Sequence, residues 1–200
     1  MPSLLENRSM DDVMVVDPPR GESVVAIAAH PDDIESWCAG TLARSVDAGA
    51  TVRLLLVTSG DKGSDDPTAA STDVAAKRED EARRAALTLG LAEVVFLRYP
   101  DGDVEDTRAL RRDLVHWIRR WRPQMIFTHD PERPWPPYLC HRDHRIVGRA
   151  TLDAVYPLAR DRLMFPEDAA AGLAPHAVSE AWLFASSGAR SFVDISTSVD

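Results

Sequence analysis

Short apolar runs and longer amphipathic stretches take turns along this chain. Val24 to Ala29, Val52 to Thr58, Val94 to Arg98, Met125 to Thr128 and Ala181 to Ala185 are near-continuous runs of aliphatic, aromatic and β-branched residues. A strand buried on both faces reads this way, because neither side has water to meet, and that is the situation inside a parallel sheet. Between these runs, Trp37 to Gly49, Val74 to Leu89, Thr107 to Trp121 and His144 to Tyr156 carry apolar residues at helical spacing. Gly49 and Gly90 stand where a helix would stop, since glycine closes a helix in the left-handed conformation without a steric penalty.

Strands alternating with helices predict βαβ units, and hence an α/β fold: a single-domain three-layer α/β/α sandwich with a Rossmann-like, mostly parallel sheet. Ligands of such sheets gather beyond the carboxyl ends of the strands, so a site belongs in the loops after Ala29, Thr58, Arg98 and Thr128. The loop 60–72, with Lys62, Gly63, Ser64 and Asp65, is polar. The loop 130–138 holds four prolines, which excludes helix and central strand and marks a segment of the kind that carries function. Within it Trp135, Pro136, Pro137 and Tyr138 suit either a wall for a sugar ring or packing of the loop itself. Ser191 to Ile195 reads as one more short strand, and Ala169 to Ala174 as a surface connection.

Length narrows this picture to one domain, since 200 residues at 44% hydrophobic content fill a single core. Residues 1–20 read as a polar extension and residues 21–200 as the domain. Net charge −9 and a pI near 5.1 argue against nucleic acid or an anionic membrane as partner, because both require clustered positive potential. A small molecule is the expected partner, and a homo-oligomer is compatible with the composition. Cys38 and Cys140, far apart and in no C-x-x-C pairing, make neither a disulfide framework nor a zinc knuckle. With no basic-apolar leader in residues 1–20 and no membrane-length apolar run, a cytoplasmic location is expected.

The first strand ends in Ala28-Ala29-His30-Pro31-Asp32-Asp33, where a nucleotide-binding domain would place a glycine-rich turn. Here an imidazole and two adjacent carboxylates stand instead, a nitrogen and oxygen set suited to zinc or a similar divalent ion. Helix capping by Asp32 or Asp33 is the plainer alternative. A second cluster, His141-Arg142-Asp143-His144, follows the proline-rich loop. Four of the six histidines, His30, His129, His141 and His144, thus fall at one predicted edge of the sheet. His116, within a helix, and His176, in a turn, read as structural.

These residues resemble a known family. Ala29-His30-Pro31-Asp32-Asp33 together with His141-x-Asp143-His144 is similar to the PIG-L, or LmbE-like, zinc-dependent N-deacetylases, and the likeness extends over Lys77-Arg78-Glu79, Tyr99-Pro100-Asp101-Gly102 and Phe127-Thr128-His129. The resemblance implies that His30, Asp33 and His144 bind the metal, zinc or another divalent ion such as Fe2+. It implies Asp32 as general base, His141 as oxyanion stabiliser and acid, and Asp143 as the group that orients or charges His141. Arg78, Asp101 and His129 match substrate-contact positions. The implied activity is removal of an N-acyl group, an acetyl group above all, from an amino sugar or glycoconjugate by a metal-activated water. Relatives commonly carry a further helix beyond the point where this chain ends.

Other chemistries fit less well. A metal-dependent amidase acting on a thiol conjugate or antibiotic-type amide would use the same residues. A two-metal phosphoesterase would carry more carboxylates. Cys140 beside His141 suggests a thiol nucleophile, yet adjacent residues rarely present both side chains to one substrate. A non-catalytic binding module has no need of Asp32 or His141.

Overall fold

A computed structural model describes residues 14–133 and 140–198. In chain order its elements are β1 (Met14–Val15), β2 (Ser23–Ala28), α1 (Asp33–Trp37), α2 (Ala39–Asp47), β3 (Thr51–Thr58), α3 (Ser71–Thr88), β4 (Glu93–Tyr99), α4 (Arg108–Trp121), β5 (Met125–His129), α5 (Arg142–Asp153), α6 (Pro166–Ala170), β6 (Glu180–Phe184) and β7 (Ser191–Phe192). Every apolar run became a strand of one sheet ordered β4-β3-β2-β5-β6, parallel throughout. The chain winds outward from β2 through β3 to β4, then returns to lay β5 against the other side of β2. The seam between β2 and β5 is therefore the point where strand order reverses, the usual ligand crevice of an open α/β sheet.

Alternation along each strand sorts the core into two layers. Val24, Ala26 and Ala28 of β2 meet Ile34, Leu42 and Ala82 from α1, α2 and α3, whereas Val25, Ile27 and Ala29 meet Leu110, Leu114, Ile118, Val147 and Ala150 from α4 and α5. The three-layer sandwich expected from the sequence is the observed one.

Boundaries differ from the sequence pattern where a side chain intervenes. The helix expected from Trp37 starts at Asp33 and breaks at Cys38, whose φ of −146° is not helical. The last expected helix starts two residues earlier, at Arg142, with His141 as its cap, and ends in a wider turn over Ala154–Leu158. Part of the expected N-terminal extension is a strand, since Met14 and Val15 pair with Ser191 and Phe192. Trp135, Pro136, Pro137 and Tyr138 lie outside the described residues.

Glu79 ties α3 to the ends of β3 and β4. Its buried carboxylate accepts hydrogen bonds from Ser59 Oγ (2.7 Å), Arg98 Nε (2.8 Å) and Arg83 Nη2 (2.7 Å). The Arg98 guanidinium, reinforced by Ser59 and Arg83 against the opposing effect of burial, holds this carboxyl down to about 2. A carboxyl lowered on folding stabilises the fold at pH values above its ordinary range, and that stabilisation fades as pH falls towards the folded value. Both arginines are half exposed or more, so solvent screening limits the contribution to about 1–2 kcal/mol. Glu79→Gln should therefore lower the urea midpoint at pH 7, and its gap to wild type should narrow between pH about 4.5 and about 2. An equal gap at both ends of that range would disprove the ion-pair account.

Candidate active site

The turn after β2 sets the geometry. Asp32 takes a left-handed backbone (φ 88°), which reverses the chain so that the carboxylate of Asp33 accepts the His30 N–H at 2.7 Å. Asp32 itself makes no helix-capping hydrogen bond. Asp33 is the hub. Its two oxygens lie 2.9 Å from His144 Nε2, 3.2 Å from His129 Nε2 and 3.5 Å from His30 Nδ1, and His30 Nδ1 is 3.2 Å from His144 Nε2. Burial works against the charge on Asp33, but hydrogen bonds from His129, His144 and His30 outweigh it and hold the carboxyl far below the usual carboxylate range.

The partners arrive from β5 and α5, about a hundred positions further along the chain. His129 ends β5, and His144 lies one turn into α5. The helix can come this close because residue 148 is glycine: a Cβ there would stand 2.5 Å from the His129 carbonyl oxygen. The His129 and His144 rings stack with centroids 4.1 Å apart, and the other edge of His129 rests on Phe184. His129, expected as a substrate contact, is 1% exposed and lies against Asp33 and His144.

The far nitrogen of His30 meets two more carboxylates. Nε2 is 3.1 Å from Asp101 Oδ1 and 3.3 Å from Asp143 Oδ2. Burial tends to lower the His30 pKa, but Asp33, Asp101 and Asp143 together raise it. Asp143, fully buried, also accepts the Gly102 N–H at 2.7 Å. Asp101 accepts the Lys62 N–H at 3.1 Å and donates its own backbone N–H to Asp61 at 3.1 Å, which fastens the 60–62 loop to the loop after β4. Asp101 and Asp143 thus both turn a carboxylate to the His30 ring. Nothing in the spacing of the sequence singled out Asp61 and Lys62, which hold Asp101.

His141 stands on the exposed side, its ring edge-on to His30 at 4.7 Å. Its Nδ1 accepts the Asp143 backbone N–H at 3.2 Å. Asp143 therefore orients His141 through its main chain, its carboxylate being turned to His30. Partial burial, and then the neighbouring His30 and His144, lower the His141 pKa. With Nδ1 accepting, the neutral ring carries its proton on Nε2. Arg78, expected at the substrate, instead donates to Asp32 Oδ2 at 2.7 Å. His116 and His176 are structural as read, on Asp168 at 3.1 Å and on the Pro123 carbonyl at 2.6 Å.

Two donors each about 2.0–2.1 Å from a tetrahedral zinc ion lie about 3.3–3.4 Å apart. The separations among His30 Nδ1, His144 Nε2 and the Asp33 carboxylate bracket that value: 3.2 Å between the two nitrogens, 2.9 Å from His144 to Asp33 Oδ1 and 3.5 Å from His30 to Asp33 Oδ2, so two imidazoles and one carboxylate could hold such an ion. His141 and His129 offer further donors within 4.8 Å of members of this set.

Residues 25–155 match the PIG-L family, described as GlcNAc-PI de-N-acetylase. The chain belongs to that family. Among PIG-L relatives, a diacetylchitobiose deacetylase of Thermococcus kodakarensis is 33% identical over 88% of this chain and 64% of its own length. A 1D-myo-inositol 2-acetamido-2-deoxy-alpha-D-glucopyranoside deacetylase of Kineococcus radiotolerans is 30% identical over 73% of this chain and 47% of its own. Among solved structures, an N,N'-diacetylchitobiose deacetylase from Pyrococcus horikoshii superposes with a TM-score of 0.83 at 28% identity, covering 88% of this chain and 65% of that one. This chain therefore spans from about half to just under two thirds of the length of these relatives. No described helix is long and apolar enough to cross a membrane.

Proposed function

We propose that this PIG-L chain is a metal-dependent N-deacetylase acting on an amino sugar or glycoconjugate. The observation that carries the reading is the meeting of His30, Asp33 and His144 at 2.9–3.5 Å, with a second carboxylate, Asp32, and a second imidazole, His141, beside them. The acetamido-sugar substrates named for the relatives supply the substrate class.

His30, Asp33 and His144 would hold the ion, zinc or ferrous iron by their donor chemistry. When bound, such an ion acidifies water and polarises a carbonyl. The protein's own groups account for the protons. Asp32, largely exposed beside the ligands, takes the proton of the attacking water as its oxygen bonds to the acyl carbon. The Nε2–H of His141 donates to the carbonyl oxygen as it gains negative charge. The carbon–nitrogen bond then breaks, and the proton collected by Asp32 is the one available to the departing nitrogen, giving a free amine and a carboxylic acid. A neutral His141 suits donation to the oxyanion better than service as the acid, which revises the role expected from its motif.

Metal analysis combined with amine release from N-acetylglucosamine derivatives tests the reading. Wild type and Asp32→Asn should each retain about one metal per chain, while the variant loses at least ~10²-fold in turnover, as removal of a general base does. Wild-type turnover in Asp32→Asn would remove that residue from the mechanism, and an inactive wild type would remove the substrate class.

A further inference from the structure

Asp32 is a non-glycine residue in a left-handed turn, a conformation that costs roughly 1–2 kcal/mol and persists only where surrounding contacts hold it. The holding group is Arg78 of α3. Its Nη2 donates both to the Pro31 carbonyl at 2.6 Å and to Asp32 Oδ2 at 2.7 Å, and its Nη1 donates to the Gly60 carbonyl at 3.3 Å. The side chain is only 17% exposed, because it lies under the 60–63 loop. That loop has room for it solely because residues 60 and 63 lack side chains: a Cβ on either would overlap Arg78 Nη1. A guanidinium with both Nη groups on the protein, seated in a cradle of two glycines, is placed to fix a backbone turn.

We propose that Arg78 is a positioning residue, which clamps the Pro31–Asp32 turn and thereby sets the general base and the two ligands on either side of it, His30 and Asp33. This rests on the metal-site reading above and departs from the substrate-contact role implied for this position. A planar fork holds the Pro31–Asp32 turn through Nη2 and the Gly60 carbonyl through Nη1 at once; a single ammonium nitrogen could not hold both ends. Gly60 and Gly63 belong to the same device, since a methyl group at either would force the guanidinium to shift.

Zinc affinity, measured by competition with a chromophoric chelator, tests the clamp without reference to turnover. Arg78→Ala should bind zinc at least ~10-fold more weakly, the loss typical when a group supporting metal ligands is removed. Arg78→Lys should fall between it and wild type. Gly63→Ala, which adds one methyl group in a loop and leaves the rest of the fold alone, should weaken binding in the same direction by a smaller factor. At saturating zinc, on N-acetylglucosamine derivatives, Arg78→Ala should lower kcat with KM within about threefold. In an Asp32→Asn background the same change should cost less than about threefold more, because the two residues act as a unit. Unchanged zinc affinity in both Arg78→Ala and Gly63→Ala, with KM raised and kcat kept, would overturn the clamp and restore a substrate contact. Should wild type bind zinc yet release no amine from these substrates, the functional reading fails, and the zinc competition alone decides the role of Arg78.

Discussion

Asp33→Asn should strip the protein of its metal. After dialysis, elemental analysis is expected to find close to one zinc per chain in wild type and almost none in the variant, with amide hydrolysis lowered by at least ~10³-fold, the several kcal/mol that a Lewis acid contributes to such a barrier. The reason lies in the number of groups that Asp33 serves. Three imidazoles and one backbone N–H converge on its two oxygens. An amide keeps a single oxygen, turns an NH2 group towards rings that are themselves donors or ligands, and removes the only charge that balances a dication from inside this cluster's core. Asp32→Asn, one position earlier, should keep its zinc while losing turnover, so the pair separates metal retention from proton transfer. Stoichiometric zinc in Asp33→Asn would refute the ligand assignment.

Arg119→Leu is expected to produce the largest loss of stability of any single change considered, about 3–5 kcal/mol, read as a fall in urea midpoint and melting temperature. Arg119 of α4 is 2% exposed. Its guanidinium donates to the carbonyls of Leu158, Ala159, Asp161, Met164 and Phe165 and to the buried carboxylate of Asp168 at 3.3 Å. Those carbonyls belong to the chain between α5 and α6, where only those of Ala159, Asp161 and Phe165 also accept a backbone N–H among the described loop and cap contacts. Leucine matches much of the volume but takes the guanidinium donor from the Leu158 and Met164 carbonyls, one of two donors from those of Ala159, Asp161 and Phe165, and leaves Asp168 with only His116 beside it. Because this knot lies on the α4 face, away from the ligands, the folded variant should bind zinc with wild-type affinity. A loss below about 1 kcal/mol would show that water replaces the guanidinium freely.

The sheet could be read from sequence because a strand buried on both faces has few polar positions, and in β2, β3 and β5 these stand at the strand ends, Arg53 excepted. Metal-ligating residue types were equally visible, as His30 and Asp33 follow β2 and His141 and His144 open α5, at the sheet edge where an open α/β fold gathers its ligands. What spacing could not give was the direction of each side chain. Asp143 is two residues from His141, yet its carboxylate points at His30, because α5 starts at Arg142 and turns position 143 inward. His129 sits at the favoured edge, yet stacking on His144 and Phe184 buries it. Arg78 reaches Asp32 across 46 positions, a contact that depends on how α3 lies over the 60–63 loop. Arg119 looked like any charge on an amphipathic helix, since nothing local tells a solvated arginine from one ringed by carbonyls of a distant loop.

One consequence concerns what position 30 will tolerate. Its ring is gripped from opposite ends, with Nδ1 turned to Asp33 and His144 and Nε2 turned to Asp101 and Asp143. Cysteine or aspartate could supply a donor atom at the first end and would have nothing to offer the second; glutamine is long enough but cannot present two opposed nitrogens in one plane. An exchange of one metal-binding side chain for another, tolerable at many such centres, is thus forbidden here by the atoms on the side of the ring that faces away from the ion.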